Sequence, residues 1–409
     1  MTVAETGWTG AGFEGRPPAP GQLVPASGAW RESDPPGDRQ FAHIGEFFPE
    51  RGGVLDVHVA YETWGTLNAA GTNAVLVLHA LTGDSHIRGP AGPGHPTAGW
   101  WTDLIGPGAP VDTDQFFVVA PNVLGGCQGT TGPASLGPAA AGSGPDPAAA
   151  AAGTAQPLGA EFPFITVRDQ VRAELALADH LGINQFALVI GGSMGGMRVL
   201  EWAIMAPERL ARIAPIATTA KSTADQIAWA HAQIAAIKND PHFLGGNYYG
   251  QPDGQGPHIG LGIARQIAHT TYRSAMELEG RFGANAQDGE EPLGGGGRYA
   301  VASYLEHHAS KLALRFDANS YIVLTQALCA HDVGRDRGGV AAALATITAR
   351  ALVVAVDSDR LYLPHESEEL AQYIPGADPV HLVHSDYGHD GFLIEFTQLG
   401  PVIKDFLES

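Results

Sequence analysis

The chain reads as an α/β fold, a mostly parallel central sheet with a helical segment inserted late in the sequence, on three observations. Short β-branched and apolar runs alternate with segments of helical period, and parallel strands need such crossover helices. The long span between residues 218 and 351 is dominated by helical patterns, with two polar Gly-rich segments, GQPDGQGPH and GANAQDGEEPLGGGG, that read as loops. A glycine–serine turn, Gly191-Gly192-Ser193-Met194-Gly195, stands where one strand pattern runs directly into a helix pattern.

Taken in order, Val54 to Gly65 (VLDVHVAYETWG) sets Leu55, Val57 and Val59 at a spacing of two, which is a half-buried strand. Ala74 to Leu81 (AVLVLHAL) is continuously apolar and predicts a strand buried on both faces. Phe116 to Gly126 predicts a third strand, running into the glycine-rich loop GGCQGTTGP. Val167, Val171, Leu175, Ala178 and Leu181 recur at helical spacing, and Gly182 closes that helix. Phe186 to Ile190 is a short strand, and Met197, Leu200 and Ile204 mark the helix after it, which ends near Pro207. Arg212–Thr218, Ala351–Asp359 and Val380–Asp386 complete the strand readings. STADQIAWAHAQIAAIK and HIGLGIARQIAHTTYRSAMEL predict helices of the insertion, and Phe392, Leu393 and Phe396 open a terminal amphipathic helix. Residues 1–38, rich in Gly, Pro and Ala, read as a flexible N-terminal arm, and the low-complexity run 138–157 as a flexible surface insertion. The expected division is therefore the arm, a catalytic domain over 39–220 and 346–409, and a helical lid over 221–345.

Composition narrows the function. Lys and Arg total 23 against 43 Asp and Glu, a formal net charge of −20, which repels phosphate backbones and anionic lipid surfaces. Nucleic acid and membrane are thus not expected partners. Cys127 and Cys329 are the two cysteines in 409 residues, so there is no disulfide framework and no cysteine-based zinc site; with no H-E-x-x-H, no metal is expected. No leader-like N-terminus and no long apolar window are present, which fits a cytoplasmic protein.

The turn at 191–195 fits G-x-S-x-G, the elbow that holds a nucleophilic serine above the sheet of an α/β-hydrolase fold. Chain order in that fold is Ser, then Asp or Glu, then His, so both partners of Ser193 should follow it at the ends of later strands. Asp357 and Asp359 both end the run ALVVAVDSD, and the pattern does not separate them. For the base, His389 in HSDYGHDGFL has the loop position expected of a catalytic residue, whereas His384 lies within a strand pattern. The oxyanion hole would use the backbone N–H of Met194, directly after the nucleophile, and that of Leu81 or a neighbour in the loop HALTGDSH.

The stretches VHVAYETWGTLN, LHALTGDSH, APNVLGGCQGTTGP, FPFITVRDQV, VIGGSMGGMRVLEW, YLEHHASKLALRFDANSYIVLT, SDRLYLP and SDYGHDGFL closely resemble homoserine O-acetyltransferases, from about residue 40 to the C-terminus. Two departures stand out: a longer insertion at 138–157, and a proline one position later in SDRLYLP. The resemblance implies that Asp359 is the acid, and that Arg265, Tyr272 and Asp390 contact the substrate. Arg265 would pair with an amino-acid carboxylate and Asp390 with its ammonium. It further implies acetyl-CoA as co-substrate with no bound cofactor, L-homoserine as acceptor in methionine biosynthesis, a ping-pong route through acyl-Ser193, and a homodimer. The alternatives are a homoserine or serine O-succinyltransferase of the same fold, or a serine hydrolase.

Overall fold

A computed structural model describes residues 23–137 and 156–409. Most of the arm and of the 138–157 insertion therefore lie outside the described residues. Among the described residues, nine strands form one sheet: β1 (Gln40–Phe47), β2 (Leu55–Trp64), β3 (Ala74–Leu78), β4 (Phe117–Pro121), β5 (Phe186–Gly192), β6 (Arg212–Ile216), β7 (Arg350–Ala351), β8 (Val354–Val356) and β9 (His381–Val383). The spatial order is β1-β2-β4-β3-β5-β6-β8-β9, with β7 also paired to β6. β1 and β2 form an antiparallel hairpin and β2 meets β4 antiparallel, while every pairing from β4 to β9 is parallel.

The central strands serve two cores by alternation. Leu76 and Leu78 of β3 join one cluster with α1 (Val167–His180) and α2 (Met194–Met205). Val75 and Val77 point to the other face, where Trp100, Trp101 and the terminal helix α10 (Phe396–Glu408) cover them. A strand flanked by helices on both sides has no polar face, so β3 reads as an unbroken apolar run. α1 starts where predicted because Thr166 caps it reciprocally with Asp169.

Between β6 and β7 the described chain adds α3 (Ala224–Lys238), α4 (His258–Tyr272), α5 (Ala275–Phe282), α6 (Ala300–Ala313), α7 (Ala318–Cys329) and the short α8 (Val340–Leu344), and contributes no strand to the sheet. A third apolar cluster joins this insertion to α2 and to loops that follow the strands: Ile237, Leu261, Leu312 and Tyr321 pack with Leu81, Met194, Met197 and Tyr362. α9 (Pro364–Tyr373) returns to the sheet.

Three expectations need correction. Residues 26–30, assigned to a flexible arm, are pinned: the Ser27 hydroxyl donates to Asp317 Oδ1 at 2.7 Å, Trp30 N–H donates to the Cys127 carbonyl at 2.9 Å, and Trp30 stacks on Phe41. Their partners lie elsewhere in the chain, so local composition does not reveal them. The run Ala351–Asp359 is two short pieces, β7 and β8, and not one strand. Phe392 and Leu393 belong to a 3₁₀ turn, Gly388–Leu393, that precedes α10 and buries both in the core.

Candidate active site

Ser193 sits between β5 and α2 with φ 58° and ψ −125°, a left-handed conformation rarely adopted by a residue with a side chain. Such strain costs about 1–3 kcal/mol and persists where the surroundings over-determine it. Here Ser193 N–H donates to the Ile216 carbonyl at 2.9 Å, and the Thr218 hydroxyl donates to the Ser193 carbonyl at 2.8 Å. The flanking glycines are required by contact. A Cβ on Gly195 would lie 2.1 Å from the Leu78 carbonyl oxygen, and one on Gly191 would lie 2.7 Å from Gly195 C. Absence of a side chain at Gly192 admits the Phe392 ring, whose Cε2 would be 2.4 Å from a Cβ there. That contact seats the 388–393 turn, which carries His389, against the elbow.

The competing acids and histidines sort into two pairs. His389 Nδ1 is 2.7 Å from Asp359 Oδ2, with side-chain exposures of 4% and 0%. His384 Nδ1 is 2.8 Å from Asp357 Oδ2, with exposures of 74% and 36%. Asp359 Oδ1 also accepts the backbone N–H of Leu361 at 2.8 Å and of Tyr362 at 3.0 Å, so the turn after β8 fixes its carboxylate. Aromatic rings enclose His389: centroids lie 5.1 Å away for Tyr362, 5.4 Å for Phe392 and 5.8 Å for Tyr272. Burial opposes its protonation most strongly, yet the charge and hydrogen bond of Asp359, with Asp390 and Glu366 beyond, raise its pKa above the ordinary imidazole value. A buried base with an orienting acid, on a turn packed against the elbow that bears the serine, is the arrangement acyl-enzyme chemistry requires.

Met194 is the first residue of α2, and it shares an apolar cluster with Leu81. First-turn helix N–H groups have no intrahelical acceptor and carry the positive end of the helix dipole, which suits an oxyanion. The loop bearing Leu81 is braced by buried polar contacts. Arg198, paired with Glu174, donates to the His79 carbonyl, and His79 Nε2 accepts the Val123 N–H at 3.1 Å. Burial, aided by Arg198, depresses His79 to a pKa of about 3, so it stays a neutral acceptor.

Arg265, on α4 and 4% exposed, directs Nη1 to the Thr82 hydroxyl at 3.4 Å, and its guanidinium lies 5.6 Å from the centre of the Tyr272 ring. Arg315 Nη2 donates to the Thr82 carbonyl at 2.9 Å. Both arginines thus meet the loop that bears Leu81. Asp390 accepts from Arg273 Nη1 at 3.2 Å, a partner that sequence reasoning did not single out. The available signal was Arg273 beside Tyr272 with Glu277 one helical turn further on.

Two groups of metal-ligand residue types occur among the described residues: Asp38, Glu62, His86 and His95, and His43, Asp56 and His58. In each the two imidazoles are stacked, 3.8 Å apart at 10° and 4.3 Å apart at 16°. Stacked rings hold their in-plane lone pairs side by side, so they do not converge on one ion at about 2.1 Å. Glu62 is instead hydrogen-bonded to His86 Nδ1 at 3.1 Å and Asp56 to His43 Nε2 at 2.7 Å, while His95 Nε2 accepts the Asp38 backbone N–H at 3.0 Å.

Residues 73–396 match the family model of the alpha/beta hydrolase fold. A homoserine O-acetyltransferase of Thermobifida fusca (strain YX) is 58% identical over 386 residues, covering 94% of this chain and 97% of that protein. One from Leifsonia xyli subsp. xyli (strain CTCB07) is 55% identical over 385 residues, covering 93% and 92%. The chain belongs to the homoserine O-acetyltransferase family. Within the alpha/beta hydrolase fold, solved structures of both kinds of enzyme overlay on it. A homoserine O-acetyltransferase from Bacillus anthracis gives a TM-score of 0.79 at 25% identity, covering 91% of this chain and 97% of that one. Esterase E22 gives 0.79 at 26% identity, covering 90% and 99%. The chain thus shares its overall scaffold with an esterase as well as with a homoserine O-acetyltransferase. No helix among the described residues is long and apolar enough to cross a membrane.

Proposed function

We propose that this chain is a homoserine O-acetyltransferase that moves an acetyl group from acetyl-CoA to the side-chain hydroxyl of L-homoserine through an acetyl-Ser193 intermediate. His389, oriented by Asp359, takes the Ser193 hydroxyl proton as Oγ attacks the thioester carbonyl. The N–H groups of Met194 and Leu81 face the developing oxyanion, and the sulfur of CoA leaves with the proton from His389. Homoserine then enters, with Arg265 toward its carboxylate and Asp390 toward its ammonium. His389 takes the hydroxyl proton, the new C–O bond forms, and Ser193 Oγ departs and recovers that proton. Water competes at this second step, and the helices from α3 to α8 restrict its entry.

The observation that carries this reading is the near full-length match at 58% identity to a homoserine O-acetyltransferase, because the buried Asp359–His389 pair and the Ser193 elbow would serve a hydrolase equally well. Its test supplies acetyl-CoA or succinyl-CoA with L-homoserine or L-serine, and follows thiol release together with the O-acyl product. Homoserine-dependent thiol release with acetyl-CoA is expected. Release that ignores the amino acid overturns the reading. A cytoplasmic homodimer is part of the same proposal; Ile259, Ile263 and Met276 are exposed apolar residues of the insertion that a second copy would cover, and elution as a monomer on gel filtration contradicts it.

A further inference from the structure

The corner between α4 and α5 is built onto the turn that carries His389. Tyr272 ends α4, Arg273 is extended at φ −89° and ψ 141°, and Ser274 caps α5 by accepting the Glu277 N–H at 3.0 Å. The Ser274 hydroxyl donates to the Asp386 carbonyl. Gly388, at φ 65°, lies so close that a Cβ there would be 2.4 Å from the Tyr272 carbonyl oxygen. Inside this junction lies Arg273, 1% exposed, with its guanidinium 5.0 Å from the centre of the Tyr387 ring. Its Nε and Nη2 donate to the two carboxylate oxygens of Glu277 at 3.1 and 2.8 Å, and Nη1 donates to Asp390 Oδ2 at 3.2 Å.

The charges of this group decide what it can do. Arg273 alone with Asp390 would be a neutral pair, poorly suited to attract an ammonium. Glu277 instead takes the two-bonded face of the guanidinium, so Arg273, Glu277 and Asp390 together carry one net negative charge, beside His389. Arg281 approaches Glu277 at 3.5 Å but is 42% exposed, where solvent screens its contribution. The arginine fork therefore fixes the direction of the Asp390 carboxylate without cancelling its field.

We infer that Arg273 and Glu277 are positioning residues that set Asp390 for the acceptor's ammonium, and that they govern whether the acetyl group on Ser193 passes to an amino acid or to water. This rests on the proposed homoserine acetyltransferase reading. In the governed step the bond from the acetyl carbon to Ser193 Oγ breaks and a bond to the acceptor oxygen forms. The acceptor's proton travels through His389 to Ser193. With homoserine the product is an ester, and with water it is acetate. A clamped ammonium holds the homoserine hydroxyl at the acyl carbon and so gives it a high effective concentration over water. Since esterases share this backbone, the choice between acceptors needs a determinant outside the Ser–His–Asp set.

The test separates the two half-reactions in Arg273→Gln, Arg273→Lys and Glu277→Gln. Acylation is read as the burst of CoA thiol in single turnover, and transfer as O-acetylhomoserine against acetate at fixed homoserine. Removing a buried charged partner from an ammonium site should raise the homoserine KM by about tenfold or more and shift product toward acetate, with the burst held within about twofold. Arg273→Lys keeps the charge but loses the fork, and should fall between wild type and Arg273→Gln. Glu277→Gln leaves Arg273 free to neutralise Asp390 and should also raise the KM, which keeps the inference testable if the Arg273 variants do not fold. Unchanged KM and unchanged acetate fraction in Glu277→Gln or in folded Arg273 variants overturn the inference. So does a burst that falls in step with transfer, since that marks a general packing role. If the wild-type protein releases thiol regardless of homoserine, the functional reading itself fails, a result distinct from variants that behave like an active wild type.

Discussion

Replacing Asp359 by asparagine changes one atom of a buried carboxylate, and the surrounding hydrogen bonds dictate which. Oδ1 accepts two backbone N–H groups, from Leu361 and Tyr362, so an amide placed there must put its oxygen in that position. Its NH₂ is then forced into the place of Oδ2, 2.7 Å from His389 Nδ1. A donor facing Nδ1 requires that nitrogen to offer a lone pair, which moves the imidazole proton to Nε2. In that tautomer His389 cannot take the Ser193 proton. A loss of about 10⁴ follows from a wrong tautomer in Ser–His–Asp enzymes, or about 5.5 kcal/mol of transition-state stabilisation. The assay is the single-turnover burst of CoA thiol from acetyl-CoA, which isolates acylation from the acceptor. Asp357→Asn is the matched comparison: its pair with His384 is exposed, and the burst should stay within about twofold. A loss under about tenfold in Asp359→Asn, or a larger loss in Asp357→Asn, refutes the reasoning.

The acid limb of acylation should lie above the ordinary imidazole pKa, because the proposed base His389 must be neutral to act and its carboxylate neighbours favour the charged form; activity should be lost as pH falls through that raised value. Asp390→Asn removes one of those carboxylates, so the limb of the acylation burst should move to lower pH, and a limb that stays put or rises contradicts the assignment. Gly195→Ala drives a methyl group into the Leu78 carbonyl and should cost about 2–4 kcal/mol in urea unfolding along with most of the burst; an unshifted midpoint would sink the contact argument. Glu174→Ala strands the buried Arg198 and should cost about 3–5 kcal/mol by the same measurement, with a loss under about 1 kcal/mol counting against a stabilising pair.

Local order accounts for what the sequence made legible. β3 and β5 are short apolar runs, α1 carries its own cap at Thr166, and the elbow packs its strand, glycines, serine and helix into consecutive residues. Each is specified by neighbours along the chain, so periodicity and turn chemistry reveal it. Phe392 and Leu393 have the apolar spacing of a helix start, yet the helix begins only at Phe396. What holds them in a 3₁₀ turn is burial against the sheet and the elbow.

The serine, its elbow and the scaffold type were determined by the sequence itself, and the order of the motifs along it was enough to place the chain in its family. Tertiary structure alone divided Asp357 from Asp359 on physical grounds. Two residues apart just after β8, they share the same pattern, and only burial assigns one to His389 and leaves the other with His384 at the surface. It alone brought Arg273 from the insertion to Asp390, 117 positions later in the chain. Hydrogen bonds and charges act over a few ångströms through space, and sequence spacing carries no record of which distant residues the fold will bring within that reach.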